Sequence, residues 1–291
     1  MVACGRTPRA QACGFAPATG TEMAVKITSP ANPHVKNAVK LRGSHHRKKT
    51  GRMIVEGERC ISRALAACVP VEELFYCREM LGGQEWQGLV GRVAASGGQV
   101  FDVTPAVMGK MAYRDSPEGL LAIAPAPTCT LDDLPTGPEA LLIVAENLEK
   151  PGNLGAILRS ADAAGATGMI LCGKRTDVYN PNAIRSSTGT VFSVPVAAAS
   201  ADQTIAWLRR NRIRILAATP AGEQVYTAAD LTGPVALVVG SEHLGLSQTL
   251  LNQANARIRI PMKGAADSLN AAATATILLF EAARRRAGGN D

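Results

Sequence analysis

Residues 140–172 read ALLIVAENLEKPGNLGAILRSADAAGATGMILC, and this stretch decides the fold. Leu141–Ala145 is a short apolar run followed at once by polar residues, which predicts a buried strand rather than a helix. From about Asn153 to Ala164 the composition turns to Leu, Ile, Ala and Arg, which predicts a helix, and Met169–Cys172 is a second short apolar strand. The alternation continues outward, with a helix around residues 202–211, strands at Ile213–Ala218 and Val235–Val239, and a last helix from about Ser268 to Arg286. Short apolar strands alternating with helices predict an α/β fold whose mostly parallel sheet is covered on both faces. Ligands of such sheets bind beyond the carboxyl ends of the strands, so function is to be sought in the loops that follow them.

Toward the amino terminus the pattern is mixed. A basic helical segment around residues 33–42, a strand at Met53–Val55, a helix from Cys60 to Ala67 and a strand at Leu74–Tyr76 predict a second, smaller α/β domain. Pro125, Pro127, Pro135 and Pro138 then resist helix and predict an extended linker. The expected division is a disordered tail at 1–22, a domain at 23–124, a linker at 125–139 and a catalytic domain at 140–291. Residues 1–22 are rich in Ala, Gly, Pro and Thr and lack the apolar core of a secretory signal, and Met23 is a candidate natural start.

Hydrophobic residues make up 46% and charged residues 19%, a globular balance. No apolar run reaches the roughly 18–20 residues of a membrane-spanning helix. The seven cysteines are odd in number, scattered, and form no C-x-x-C pair, which points to reduced thiols in a cytoplasmic protein and away from zinc. The net charge of +7 has a local origin. Between Glu22 and Glu56 lie Lys26, Lys36, Lys40, Arg42, Arg47, Lys48, Lys49 and Arg52 with no carboxylate among them. Charge alone leaves two readings, a solvated face or a surface that neutralises phosphates. His45 and His46 sit in the same block, but with no Cys or acidic partner nearby they predict no metal site.

Three loops carry the chemistry. In the first, which starts at Glu146, Pro151 and Gly152 turn the chain, Asn153 stands where a helix cap is expected, and Gly155 allows close packing. Arg159 follows Asn153 by six residues, more than a turn and a half along the helix, and in isolation reads equally as a surface charge. The second loop, VVGSEHLGLS from Val238 to Ser247, has Gly240 and Gly245 for unusual backbone geometry and close approach to a flat ligand. Ser241 follows Gly240 directly, so the loop is not a nucleophile elbow, and Glu242 alone reads as a capping carboxylate. The third, IRIPMKGAADSLNAA from Ile258 to Ala272, bends through Gly264 and places Ser268 and Asn270 near a helix amino end, where each reads equally as a cap. No loop matches the dinucleotide fingerprint or the P-loop. The alanine-rich run Ala271–Thr276 suits core packing or a dimer contact, and Arg284, Arg285 and Arg286 complement a helix carboxyl end.

In order and wording the loops resemble the three motifs of the SpoU branch of the SPOUT RNA 2′-O-ribose methyltransferases: N-x-G-A-I-x-R, then G-S-E-x-x-G, then I-P-M-x-G-x-x-x-S-L-N-A. The resemblance implies a parallel sheet with a deep trefoil knot at the carboxyl end, a homodimer, and S-adenosylmethionine as cofactor. It places the cofactor among Thr219, Pro220, Val239, Gly240, Gly245, Ile260, Met262, Ser268, Leu269 and Asn270. Arg159 is implied as the catalytic residue, either as a base or, because a guanidinium gives up its proton only with great difficulty, as a binder of phosphate or developing alkoxide. Asn153, Glu242, Ser268 and Asn270 are implied to orient it, the ribose and the cofactor. The phrases Ile54-Val-Glu-Gly and Ser116-Pro-Glu-Gly-Leu-Leu-Ala are similar to the family's ribosomal-protein-like RNA-binding domain. That similarity turns the basic block into an expected RNA contact through Arg42, Arg47, Lys48, Lys49 and Arg52, extended onto the catalytic domain by Arg185, Ser186 and Ser187. The implied substrate is structured RNA, ribosomal more than transfer RNA, with no membrane and no metal. A non-catalytic RNA-binding protein of the same fold, a base-nitrogen methyltransferase, and a protein methyltransferase or small-molecule enzyme, which would leave the basic block unexplained, are the competing readings.

Overall fold

The computed structural model describes residues 24–173, 176–241 and 244–288, so the expected tail at 1–22 lies outside the described residues. The first elements are β1 (Val25–Ile27), α1 (Pro33–Leu41), α2 (Ser44–Thr50), β2 (Arg52–Glu56), α3 (Glu58–Ala66), β3 (Glu73–Tyr76), α4 (Glu85–Ala95), β4 (Gln99–Val103), α5 (Pro105–Met111) and β5 (Leu120–Pro125). There follow β6 (Leu141–Glu146), α6 (Pro151–Ala163), β7 (Gly168–Cys172), α7 (Pro181–Ser186), β8 (Val196–Ala199), α8 (Ala201–Arg210), β9 (Arg214–Ala218), β10 (Gln224–Val225), β11 (Val235–Val239), α9 (Gln248–Gln253), β12 (Ala256–Arg259) and α10 (Ala271–Ala287). No helix among the described residues is long and apolar enough to cross a membrane.

The chain forms two compact units. In the unit that runs to Pro127, five strands lie in the order β1-β4-β3-β5-β2, with β5 antiparallel to both its neighbours. One core gathers Val35 and Leu41 of α1, Ile54 of β2, Phe75 of β3, Phe101 of β4 and Val107 and Met111 of α5. The two phrases read as an RNA-binding signature meet here: Gly57 N–H donates to Leu120 O at 3.0 Å, and Gly57, at φ +92, lies against Glu118.

Two expectations for this unit are corrected. Arg47 is only 4% exposed, and its guanidinium donates at 2.7 Å to the carbonyls of Leu41 and Arg42. Those carbonyls end α1, where four acceptors have no intrahelical partner, so Arg47 is a buried helix-closing residue and not the exposed cation the sequence suggested. Lys48 and Lys49 are exposed as expected, Arg42 is exposed with a long 3.5 Å bond to Lys110 O, and Arg52 is half-buried with Glu72 at 2.8 Å. The second correction concerns Arg185, Ser186 and Ser187. The segment Tyr179–Phe192 belongs to this unit, not to the one expected to be catalytic. Arg63 of α3 donates to the Thr188 carbonyl at 2.8 Å and its hydroxyl at 2.9 Å, and Gly189, at φ +86, leaves room where a Cβ would stand 3.1 Å from the Cys60 Cα. Arg185 is exposed and bonds Asn182 at 2.8 Å.

The other unit carries a seven-stranded sheet in the order β10-β12-β9-β11-β6-β7-β8, every ladder parallel. β6, β7 and β11 are buried along their whole length, which is why they read as unbroken apolar runs and not as alternation. Leu142, Val144, Ile170, Trp207, Ile215 and Val238 share one core. The segment read as an extended linker joins this core: Thr130 and Asp133 form a capping box and Leu134 is 3% exposed. The prolines block helix there, but Leu134 still has apolar area to bury.

Candidate active site

β11 and β12 pair with β9 on either side, and the carboxyl ends of these three strands open onto a cavity of about 310 Å³. The lining comes from Ala218, Thr219 and Pro220 after β9, Val239, Gly240, Ser241, Leu244 and Gly245 after β11, and Ile258, Ile260, Met262, Asp267, Ser268 and Leu269 after β12, with Ala271 and Thr274 of α10. All three strand-end loops therefore converge where an open parallel sheet presents its ligand site.

The walls are set mainly by backbone. A Cβ on Gly240 would stand 2.7 Å from Leu246 N and closer still to the carbonyl of Gly245, so the position admits no side chain. The turn it enters is held by Gly245 N–H donating to Ser241 O at 3.0 Å and by Leu244 N–H donating to the Ser241 hydroxyl at 3.1 Å. Gly245 itself sits at φ +64, where glycine is favoured. On the β9 side, Thr219 N–H donates to Ile258 O at 2.9 Å, and Arg259 donates to the carbonyls of Gly222 and Glu223 at 2.7 Å each. From β6, the Glu146 carboxylate, 3% exposed, accepts the Ser247 backbone N–H at 2.7 Å at the amino end of α9.

Of the ten expected cofactor residues, Thr219, Pro220, Val239, Gly240, Gly245, Ile260, Met262, Ser268 and Leu269 line the cavity. Asn270 does not: it caps α10, its side chain accepting Ala273 N–H at 2.7 Å, and the helix begins at Ala271 and not near Ser268. Ser268 caps nothing and lies in the exposed rim that runs from Pro261. Asn153 is not the cap of α6. Lys150 is, and Pro151 takes the first helical position, for which its fixed φ is suited, so Asn153 lies inside the first turn. Arg159 is exposed, outside the lining, and no described residue gives it a hydrogen bond or ion pair. Glu242 lies outside the described residues. α6 joins the site through α10: the Ser160 and Thr276 hydroxyls are 2.6 Å apart, one residue after Arg159 and two after Thr274.

Sequence reasoning passed over Glu146, Ser241, Leu244, Asp267 and Thr274. A carboxylate that ends an otherwise apolar strand was the available signal for Glu146. Thr274 had none, because its role follows from where α10 starts.

Residues 140–280 match the family model described as the SpoU rRNA Methylase family, and residues 32–122 match one described as the MRM3-like substrate binding domain. A 23S rRNA (uridine(2479)-2′-O)-methyltransferase of Streptomyces viridochromogenes is 33% identical over 92% of this chain and 95% of its own. The chain belongs to the SpoU methyltransferase family. A solved RNA 2′-O ribose methyltransferase is 42% identical with a TM-score of 0.80, covering 90% of this chain and 99% of its own. An AdoMet-bound rRNA methyltransferase from Sinorhizobium meliloti is 34% identical with a TM-score of 0.83, covering 90% and 98%. The cavity suits that cofactor, AdoMet being S-adenosylmethionine. Its size falls at the low end of the roughly 300–1,000 Å³ of small-molecule pockets. Val239, Ile258, Ile260 and Leu269 offer apolar wall to an adenosyl group, and the bare Gly240 backbone leaves room for close approach.

Proposed function

We propose that the protein transfers the methyl group of S-adenosylmethionine to a ribose 2′-hydroxyl of large-subunit ribosomal RNA. The observation that carries this reading is the cavity at the ends of β9, β11 and β12, built from the G-S-E-x-x-G and S-L-N motif loops, with Arg159 of the first motif on α6, which packs against α10 of the cavity wall. The cofactor supplies an electrophilic methyl on a sulfonium. The protein's share is to hold the hydroxyl in line with it, and positioning of that kind lowers a barrier by up to about 7–11 kcal/mol. Arg159 carries an exposed guanidinium without a partner among the described residues, which suits it to a phosphate or to the oxygen as it gains negative charge. Asn153, Glu242, Ser268 and Asn270 orient it in this reading, Asn270 by fixing where α10 begins.

The reading extends to the whole chain. The unit that runs to Pro127 is the RNA-binding domain, with Arg42, Lys48, Lys49, Arg52 and Arg185 toward the RNA. In this reading the carboxyl-terminal loops form the family's deep trefoil knot. The enzyme works as a cytoplasmic homodimer, a state that the exposed Leu244 at the cavity mouth and Phe280 on α10 support. In this reading the RNA-binding domain spans 23–124 together with Tyr179–Phe192, and the methyltransferase domain takes the rest of 140–291 with the 128–139 segment packed onto it.

The test is transfer of radiolabelled methyl from S-adenosylmethionine to ribosomal and, separately, transfer RNA from a strain lacking the gene, followed by nucleoside analysis. A labelled 2′-O-methyl nucleoside in large-subunit ribosomal RNA is expected. Label on a base, or in transfer RNA alone, overturns the assignment.

A further inference from the structure

Asp267 is the one ionisable side chain among the described residues lining the cavity. The rest of that lining is apolar or carries only neutral hydroxyls. Asp267 is exposed, lies one residue before Ser268, and no described residue gives it a hydrogen bond or ion pair. Lys263, the nearest cation in the same rim segment, is exposed and is not paired with it. A carboxylate that no described residue pairs, at the mouth of a pocket whose other described lining is neutral, biases that pocket toward a cation.

Resting on the proposed reading of the cavity as the S-adenosylmethionine site, we propose that Asp267 is a cofactor-discriminating residue. Its carboxylate faces the sulfonium charge of the cofactor and so favours S-adenosylmethionine over the demethylated product. The physical difference between the two molecules is one fixed positive charge. Methyl transfer moves the methyl group, with the sulfonium's formal charge, onto the RNA oxygen, which sheds its proton to water. The sulfur keeps the bonding pair and is left a neutral thioether. An apolar wall holds the adenosyl part of both molecules equally and cannot tell them apart. A charge facing the sulfur can, because its Coulomb interaction is present before transfer and absent after it. At an exposed position the interaction is screened by water and salt, so its effect is modest. The consequence is directional: the loaded cofactor is held, and the spent one is released.

The test is calorimetric titration of the full-length protein with three ligands: S-adenosylmethionine, S-adenosylhomocysteine, and sinefungin, which carries an ammonium where the sulfonium stands. For Asp267→Asn, affinity for the two cationic ligands is expected to fall about two- to fivefold, as for exposed charge pairs, with S-adenosylhomocysteine unchanged. The loss should shrink as salt is raised, and Asp267→Glu should restore most of it. Equal loss for all three ligands, or no loss for any, overturns the proposal, as does failure of Asp267→Glu to recover discrimination in a protein that still binds S-adenosylhomocysteine normally. If the unaltered protein binds none of the three, the cofactor reading of the cavity falls and Asp267 falls with it, an outcome separate from those in which only discrimination is lost.

Discussion

Replacing Gly240 with alanine adds one methyl group where the structure has no space for it. The new Cβ would stand 2.7 Å from Leu246 N and closer to the Gly245 carbonyl, against ordinary contacts of about 3.5–4.0 Å. The obstructing atoms are all backbone, so no rotamer change relieves the clash. The turn from Ser241 to Gly245, or the end of β11, has to move by about 1 Å. Overpacking of this kind costs about 1–3 kcal/mol in stability. The larger effect falls on the cavity, because the segment that moves is one of its walls and a misplacement of about 1 Å is enough to cost about a hundredfold in a positioned site. Gly245→Ala is the internal control. It has open space around its Cβ but sits at φ +64, so it pays only the left-handed backbone penalty of about 1–2 kcal/mol. Calorimetric titration with S-adenosylmethionine and urea unfolding followed by circular dichroism, on all three proteins, give the comparison. The expected order of binding is unaltered protein, then Gly245→Ala, then Gly240→Ala weakest by at least about tenfold. If Gly240→Ala binds and unfolds like the unaltered protein, the turn is not the rigid wall described here.

Arg159→Ala should abolish methyl transfer in single-turnover assays while leaving cofactor affinity unchanged by calorimetry; equal loss of both makes Arg159 structural. Lys48→Ala and Lys49→Ala should each flatten the salt dependence of RNA binding by roughly one unit of slope, read by filter binding at several salt concentrations. Arg47→Ala should instead lower stability by about 1–3 kcal/mol in urea unfolding, because two carbonyls of α1 lose their donor. Glu281, hydrogen-bonded by Arg284 and Arg285, has its carboxyl pulled down from 4.5 to about 2. Its stabilisation is complete above about pH 4.5 and is lost as pH falls toward 2, so the acid limb of stability should be shallower in Glu281→Gln.

What was legible in the sequence was whatever local chemistry decides. The strands around Leu141–Ala145 and Val235–Val239 are buried on both faces and so read as plain apolar runs. The carboxyl ends of β9, β11 and β12 and the loops after them hold nine of the ten residues expected around the cofactor, because a parallel sheet leaves little choice about where its ligand goes. Misreadings fell where two local signals compete or where the partner is remote. Asn153 is a good cap, but Pro151 two residues earlier is a better helix start. Arg47 looks like its neighbours Lys48 and Lys49 in one dimension, and only the turn between α1 and α2 carries it back to the carbonyls of Leu41 and Arg42. The segment Tyr179–Phe192 lies between two strands of one sheet yet packs on α3, held by Arg63 more than a hundred residues away in sequence, and no local pattern signals such a contact.

The same division separates the cavity from its charges. Gly240, Gly245 and the Thr219 amide shape the pocket through backbone alone, and they do so whatever ligand is present. Arg159 and Asp267 are exposed side chains that no described residue holds in place. Shape fixed by backbone serves the part of a cofactor that does not change in the reaction, and unpaired charge at the rim responds to the part that does. Substitutions at the glycines should therefore weaken S-adenosylmethionine and S-adenosylhomocysteine alike, and substitutions at the charges should separate binding from transfer or one ligand from the other. A glycine variant that discriminated between the two ligands would break this partition, because a methyl group added to the backbone wall carries no charge with which to sense the sulfur.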